Sequence, residues 1–339
     1  MNIHQWRYHI KKFNSAFEDN KSIQKEWDDN ARANLPRFSK ENSIWNLEFK
    51  YYRENEKAIV LVGSSPRLEE DVNKLKELDD NFRIICANSS LKYLLRHGIK
   101  PHYVVCLDSD HIDIPQHLDC DNEDIALLAS AIVCPEALDK WKGPIWYMAY
   151  TSKYIDKNVK KKMKRRLGKT LVSGGNSMTT AFFVASGIMQ ARTIMFVAHE
   201  YCFDKKNYYA DKTAAKQEKI NTVLSVIDVN KKQRYTQSSL YSYAIWTEKA
   251  LNDLGPAGFF IDTSFGLLGK DCQNIPLMEL SEAIKLVKRA FYTKSVLNKS
   301  KKTKQQILKE ILPKDENKGE VFRYNLYEQQ KRLLRLRGS

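Results

Sequence analysis

Two loops of small and hydroxyl residues have the composition of a phosphate site. The first, Gly63-Ser64-Ser65-Pro66, follows a short apolar run and precedes a polar, helix-compatible stretch. Backbone N–H groups and the helix dipole favour an anion at such a junction, and Gly63 permits close approach of the backbone to a ligand. The loop lacks the signatures of both a P-loop and a GxGxxG fingerprint. An ordinary turn between a strand and a helix is the alternative.

The second loop is Ser173-Gly174-Gly175-Asn176-Ser177, which also precedes a helix-compatible segment. Two adjacent glycines permit positive φ angles and a concave arrangement of N–H groups. The Asn and Ser side chains could fix a base, a ribose or a phosphate oxygen. The alternative is a turn that ends in a helix N-cap, because Ser and Asn are preferred there.

Ionisable and amide side chains follow other apolar runs. Asn88 follows the second run, Asp108 and Asp110 follow the third, and His199-Glu200 follow a later one. An Asp-x-Asp pair suits a divalent cation that bridges diphosphate oxygens, although one aspartate could instead cap the next segment. His199 is a candidate general base or acid, or a structural histidine.

The elements that must position these residues alternate along the chain. Apolar runs that predict strands cover 58–62, 83–87, 103–107, 125–129, 145–148 and 193–198, and helices are predicted over 89–97, 177–189, 238–254 and 280–292. This alternation predicts an α/β, Rossmann-like, mostly parallel sheet with helices on both faces. Ligands of such sheets bind at the carboxyl ends of the strands. A glycine-rich stretch covers residues 255–269.

Composition indicates a folded protein without a membrane span. The 339 residues include 42% hydrophobic and 29% charged residues, and no apolar window is long enough to cross a bilayer. The amino-terminal residues lack the apolar core of a secretory signal, and the six cysteines form no CxxC pair. These features predict a cytoplasmic location.

The positive charge is concentrated in three segments. Residues 153–169, 285–309 and 323–337 together carry +21, whereas the formal net charge of the chain is +15. This pattern favours an anionic partner such as nucleic acid, a membrane surface or a phosphorylated substrate; solvated helix faces are the alternative. The residues assigned to polyanion binding are Lys160, Lys161, Lys162, Arg165 and Arg166.

Three regions are expected along the chain: a helical amino-terminal extension (1–55), a nucleotide-binding domain (56–282) and a basic helical carboxyl-terminal extension (283–339). The first region is rich in aromatic and charged residues, and its pattern indicates amphipathic helices that pack on a neighbour. It contains no motif that indicates chemistry.

The order of motifs resembles the MptE-like family over about residues 57–280. The motifs are Val62–Pro66, Cys86–Leu91, Gly98–Asp108, Ser173–Ala181 and Ile194–His199. That family includes archaeal 6-hydroxymethylpterin diphosphokinases and the central domain of the Maf flagellin glycosyltransferases. It is distantly similar to the sialyltransferases of glycosyltransferase family 42.

The resemblance implies roles for both loops. Gly63 to Pro66 would line the nucleotide phosphate, Asn88 would contact the donor, and Gly174 to Ser177 would close on the nucleotide. Asp108 matches the family's aspartate at a strand end. Ala198-His199-Glu200 replaces the family's Gly-x-Asp, and 230–243 contains no histidine where the sialyltransferases place their base. Asp108, His199 and Glu200 are therefore the candidates for the catalytic base.

Three functions are compatible with these features. The favoured one is a glycosyltransferase that uses a nucleotide-activated, CMP-type sugar and a macromolecular acceptor, without a cofactor, because a small acceptor needs no basic segments. The second is a Mg-dependent diphosphokinase that transfers pyrophosphate from ATP to a hydroxymethylpterin-like molecule, with the metal on Asp108 and Asp110. The third is a non-catalytic nucleotide- or nucleic-acid-binding module.

Overall fold

The fold is that of a computed structural model of the chain. The described residues are 21–47, 57–150, 155–171, 174–204, 208–210, 223–254, 258–269 and 275–299. Predicted site residue Ser173 lies outside these ranges, as do residues 300–309 of the second basic segment and all of the third.

A parallel sheet of seven strands forms the centre. The strands of the described chain are β1 (Ala58–Val62), β2 (Phe82–Ala87), β3 (Tyr103–Cys106), β4 (Ala126–Ser130), β5 (Ile145–Met148), β6 (Thr193–Val197), β7 (Leu224–Ile227), β8 (Gln233–Thr236) and β9 (Phe259–Asp262). The order in the sheet is β5-β4-β3-β2-β1-β6-β9, and every pairing is parallel. Strands β7 and β8 form a separate antiparallel hairpin. The predicted α/β, Rossmann-like fold is confirmed.

Helices cover both faces of this sheet. They are α1 (Lys21–Asn34), α2 (Leu68–Asp71), α3 (Asn88–Arg96), α4 (Asp113–Leu118), α5 (Pro135–Lys140), α6 (Lys157–Leu167), α7 (Ser177–Phe183), α8 (Ser238–Leu254) and α9 (Leu280–Lys299). A π-helical turn, Val184–Ile188, continues α7. Within the described ranges, no helix is both long and apolar enough to cross a membrane.

Alternate residues of the central strand enter two different cores. Val60 and Val62 pack with α3, α6 and α9 on one face, whereas Ile59 and Leu61 pack with α7 and α8 on the other. This alternation follows from the two-residue period of a strand. Because both faces are covered, β1 is buried along its whole length, which explains its uninterrupted apolar sequence.

The glycine-rich stretch 255–269 contains a strand that the sequence analysis did not predict. Strand β9 lies inside this range and pairs with β6, with Ile261 opposite Met195. Its four residues are all buried. The run is short and lies close to Gly258, Gly266 and Gly269, so the sequence pattern does not indicate a strand. The β7–β8 hairpin was also not predicted, because its residues are only half-buried or exposed for most of its length.

Candidate functional site

The order in which the chain adds strands to the sheet reverses at β1. The chain runs from β1 to β5 towards one side of the sheet and places β6 and β9 on the other. Open parallel sheets bind ligands in the crevice at such a switch point, outside the carboxyl ends of the strands. The loops that follow β1, β2, β3, β6 and β9 therefore share one edge, which is the candidate site.

The loop after β1 uses several of its amides inside the protein. The N–H groups of Gly63 and Ser65 donate to carbonyl oxygens of residues 197 and 198, at 2.9 and 3.4 Å, and the N–H of Arg67 donates to Glu200 Oε2 at 2.9 Å. The Ser64 hydroxyl accepts a hydrogen bond from Ser89 Oγ at 2.9 Å. Protein groups thus occupy two amides of the predicted phosphate loop, those of Gly63 and Ser65, and the amide of Arg67 directly after it.

Gly63 is required by packing. A Cβ atom at this position would lie 2.3 Å from the carbonyl oxygen of Ala198, and its φ angle is outside the left-handed region. Packing is therefore sufficient to require this glycine, and the sequence-based reason, the approach of a ligand, stays a prediction. The two loops at the switch point touch each other directly at Gly63.

Glu200 is a buried carboxylate with two strong donors. Arg234 Nη2 donates to its Oε1 at 2.6 Å, and the Arg67 amide occupies its other oxygen. Burial raises the pKa of Glu200, while the Arg67 amide and the charge of Arg234 oppose that shift. Because both oxygens have donors inside the protein, this geometry does not support Glu200 as a catalytic base.

His199 is enclosed by aromatic rings. The imidazole meets Phe196 and Tyr201 edge-on, at centroid distances of 5.3 and 6.0 Å, and it is only 4% exposed. Neither ring nitrogen has a hydrogen-bond partner in the described chain. Burial lowers the pKa of His199 to about 3. A buried imidazole with so low a pKa is a weak base without access to a substrate.

Backbone strain surrounds these two residues. Ala198, Tyr201 and Phe265 all have φ angles between 52 and 56°, in the left-handed region that side chains disfavour. The loops after β6 and β9 hold each other in this shape: Ser264 Oγ accepts from the His199 amide at 2.8 Å, and the Leu267 amide donates to the carbonyl of residue 200 at 2.8 Å. This side of the crevice is therefore a tightly constrained wall.

Asp108 differs from the other two candidate bases. Its side chain is exposed, and its carboxylate forms no hydrogen bond or ion pair in the described chain. Surrounding protein atoms nevertheless raise its pKa, and the charge of Asp110 raises it further. Neighbouring protein atoms therefore surround part of this accessible carboxylate. This combination is typical of functional carboxylates.

Two tyrosines border Asp108. Burial raises the pKa of both, Tyr243 to about 12, and the charge of Asp108 adds to each shift. Tyr150 follows β5 and Tyr243 lies in α8, so elements from distant parts of the chain meet at this carboxylate. Sequence analysis missed both tyrosines. No local signal marks either one, because only the packing of α8 brings Tyr243 to the site.

The Asp110 side chain caps the backbone amides ahead of α4. Its Oδ1 accepts hydrogen bonds from the amides of Ile112 (2.8 Å) and Asp113 ahead of α4. This is the capping alternative of the Asp-x-Asp pair. The other carboxylate oxygen forms no hydrogen bond to described residues.

The glycine loop leads into α7. The Asn176 side chain accepts from the Thr179 amide at 2.8 Å, and the Asn176 amide donates to Thr179 Oγ1 at 3.2 Å. The N-cap alternative is therefore present, and Asn176 Oδ1 is occupied. Gly175 has a φ of 105°, and a Cβ there would lie 3.1 Å from the Tyr243 ring. Tyr243 thus connects the glycine loop to Asp108.

Helix α1 forms another wall of the site. The Asn30 amide donates to the carbonyl of Ser109 at 3.1 Å and to that of Ile132 at 3.0 Å. Trp27 meets Tyr150 edge-on at 5.6 Å. Sequence analysis found no chemistry in this region. The structure shows that two buried asparagines four residues apart, Asn30 and Asn34, fix α1 to this end of the sheet through hydrogen bonds to backbone carbonyls.

Helix α6 carries an exposed basic face. Val159, Met163 and Leu167 are buried, and the opposite side of the helix is charged. This basic face consists of Lys157, Lys161, Lys162, Lys164 and Arg165, which are exposed and form no ion pair in the described chain. Lys160 is half-buried, and the Arg166 guanidinium donates to the carbonyl of Leu35, so Arg166 anchors the helix.

Comparisons with known proteins agree with this architecture. Residues 29–206, more than half of the chain, match the family model described as 6-hydroxymethylpterin diphosphokinase MptE-like. The fold is similar to that in the structure of MAf glycosyltransferase from Magnetospirillum magneticum AMB-1, with a TM-score of 0.52 and 14% identity over 72% of this chain and 39% of that one. This chain therefore matches about two fifths of that protein. No match was found among curated proteins.

Proposed function

The chain belongs to the MptE-like family, and from this membership and the geometry of the strand ends we propose that it is a nucleotide-dependent transferase. The favoured reaction is glycosyl transfer from a nucleotide-activated, CMP-type sugar to a macromolecular acceptor, without a cofactor. The observation that carries the proposal is the accessible, unpartnered carboxylate of Asp108 beside the switch point.

Asp108 is the general base in this proposal. A raised pKa makes its carboxylate more basic than an ordinary aspartate, and its accessible oxygens can reach an acceptor hydroxyl. His199 and Glu200 lack that access. Tyrosine hydroxyls are protonated at neutral pH, and burial moves the pKa of both Tyr150 and Tyr243 further above it, so both hydroxyls remain hydrogen-bond donors beside Asp108.

The nucleotide phosphate is assigned to the glycine loop at the start of α7. Because the amides of Gly63, Ser65 and Arg67 have partners inside the protein, the loop after β1 has little capacity left for an anion. The amino-terminal turn of α7 and the positive φ of Gly175 offer N–H groups and a favourable dipole. The Ser64 and Ser89 hydroxyls would line the crevice beside them.

The acceptor is proposed to be anionic and to lie along the basic face of α6. This helix ends at Leu167, a few residues before the glycine loop. Its unpaired cations would attract a polyanion and guide it towards Asp108.

The test is release of CMP from a CMP-linked sugar, supported by thermal-shift measurements with CMP, CDP, UDP, ATP and GTP. Nucleotide binding should raise the melting temperature, since a ligand of the native state stabilises it. Asp108→Asn should bind nucleotide but lose most of the turnover. Asp121→Asn, which changes an exposed carboxylate near the amino edge of β4, is the matched control. Equal turnover in wild type and Asp108→Asn would refute Asp108 as the base.

The family description itself supports a second candidate, a diphosphokinase that uses ATP. Magnesium is held by one or two carboxylates together with substrate phosphates, so Asp108 and the remaining oxygen of Asp110 fit an ion that arrives with the nucleotide. Such an ion would neutralise the polyphosphate charge. The described residues contain no group of three or more His, Cys, Asp or Glu that would bind a metal alone. Full activity in EDTA would eliminate this candidate.

A further inference from the structure

The side chain of Asn88 is fixed by a histidine on the next helix. Asn88 is the first residue of α3, at the carboxyl end of β2, and is 4% exposed. Its Nδ2 lies 2.9 Å from Nδ1 of His117, which lies in α4 and is itself buried. Since an amide NH₂ group only donates, His117 Nδ1 must accept, and the imidazole carries its proton on Nε2.

This contact determines which side of the amide faces the crevice. With Nδ2 directed at His117, Oδ1 points away from it. The Asn88 side chain forms no other hydrogen bond in the described chain. Its Oδ1 is not among the side-chain atoms that are fully buried without a hydrogen-bond partner. The carbonyl oxygen is therefore the part of this buried side chain that a ligand can reach.

We infer that His117 is a positioning residue that makes Asn88 present a hydrogen-bond acceptor to the ligand. The inference rests on the proposed nucleotide site. A carbonyl oxygen repels phosphate oxygens, so the group bound at Asn88 is a donor of the nucleoside: a ribose hydroxyl or an exocyclic amine of the base. Asn88 then selects the nucleoside part of the donor, and the phosphate lies elsewhere in the crevice.

The wild-type protein tests the orientation without any ligand. Nitrogen NMR of the histidine rings should show His117 as the neutral tautomer protonated on Nε2. A proton on Nδ1 at neutral pH would overturn the inference, because Asn88 would then have to turn its oxygen towards His117.

Affinity measurements test the consequence for the ligand. His117→Leu removes the acceptor at similar size, and His117→Asn places an amide oxygen near the position of Nδ1. With CMP as the probe, we expect the Leu variant to bind about five- to tenfold more weakly, the effect of one lost hydrogen bond, and the Asn variant to recover most of the affinity. The probes 2′-deoxy-CMP and 3′-deoxy-CMP each lack one ribose hydroxyl, and UMP carries a carbonyl oxygen in place of the exocyclic amine of cytosine. The probe that lacks the group bound by Asn88 should bind wild type weakly and be insensitive to His117→Leu.

The outcomes separate this inference from the proposed function. CMP affinity that is unchanged in a folded Leu variant, or equal losses for all four probes, would overturn the role of His117. A wild-type protein with the Nε2 tautomer that binds no nucleotide would overturn the proposed function and, with it, the ligand-facing part of this inference.

Discussion

Replacement of Gly63 by alanine tests the packing of the switch point. The added methyl group would lie 2.3 Å from the carbonyl oxygen of Ala198 and 3.2 Å from the His199 ring. The first distance is about 1 Å shorter than an ordinary contact, and the oxygen belongs to a strained backbone with φ of 56°. The ends of β1 and β6 must therefore separate.

The cost follows from two contributions. Overpacking of a rigid site costs about 1–3 kcal/mol, and weakening the hydrogen bond between the Gly63 amide and the carbonyl of Val197 adds about 1 kcal/mol. We expect a loss of roughly 2–4 kcal/mol in the free energy of unfolding, or a decrease of roughly 3–6 °C in melting temperature.

The assay is urea and thermal unfolding of the full chain without ligand. Gly187→Ala is the matched control, because a Cβ there would lie 3.5 Å from the Phe183 ring, an ordinary contact, within a helical turn. The control should be neutral or stabilised by up to about 1 kcal/mol. If Gly63→Ala melts like wild type but loses nucleotide affinity, the glycine serves the ligand and the packing argument is wrong.

Three further predictions concern charged groups. Burial raises the pKa of Asp262 to about 7. Its carboxyl group therefore does not destabilise the fold below the unfolded pKa of about 3.9, and it destabilises the fold increasingly as the pH rises to about 7. Asp262→Asn should stabilise the protein at pH 8 but hardly at pH 4, and equal effects in urea unfolding at both pH values would contradict this. Glu200→Gln should lower the free energy of unfolding by about 1–3 kcal/mol, because it weakens the ion pair with Arg234. In a protein that already carries Arg234→Met, the same substitution should cause a smaller loss in the same assay. Neutral substitutions on the basic face of α6 should weaken retention on heparin and flatten the salt dependence of that retention. An unchanged salt dependence would show that this face does not bind the polyanion.

Local sequence determined the framework of this protein. The apolar runs at 58–62 and 145–148 coincide with β1 and β5, and the segment 238–254 coincides with α8. Burial on both faces of a parallel sheet demands continuous apolar residues, so the strands are visible in a short window. Because parallel strands end at one edge, the same pattern also predicted that Asn88, Asp108 and Glu200 would share it.

Which of these side chains is available to a ligand was decided only by tertiary structure. Glu200 and His199 follow β6 at the same edge of the sheet as Asp108, yet Arg234 neutralises the first and aromatic rings enclose the second. Asp108 stays accessible, and Tyr243 reaches it from α8, more than a hundred residues later. Sequence patterns report the period and polarity of a segment, whereas the burial and charge of a side chain depend on neighbours contributed by distant segments.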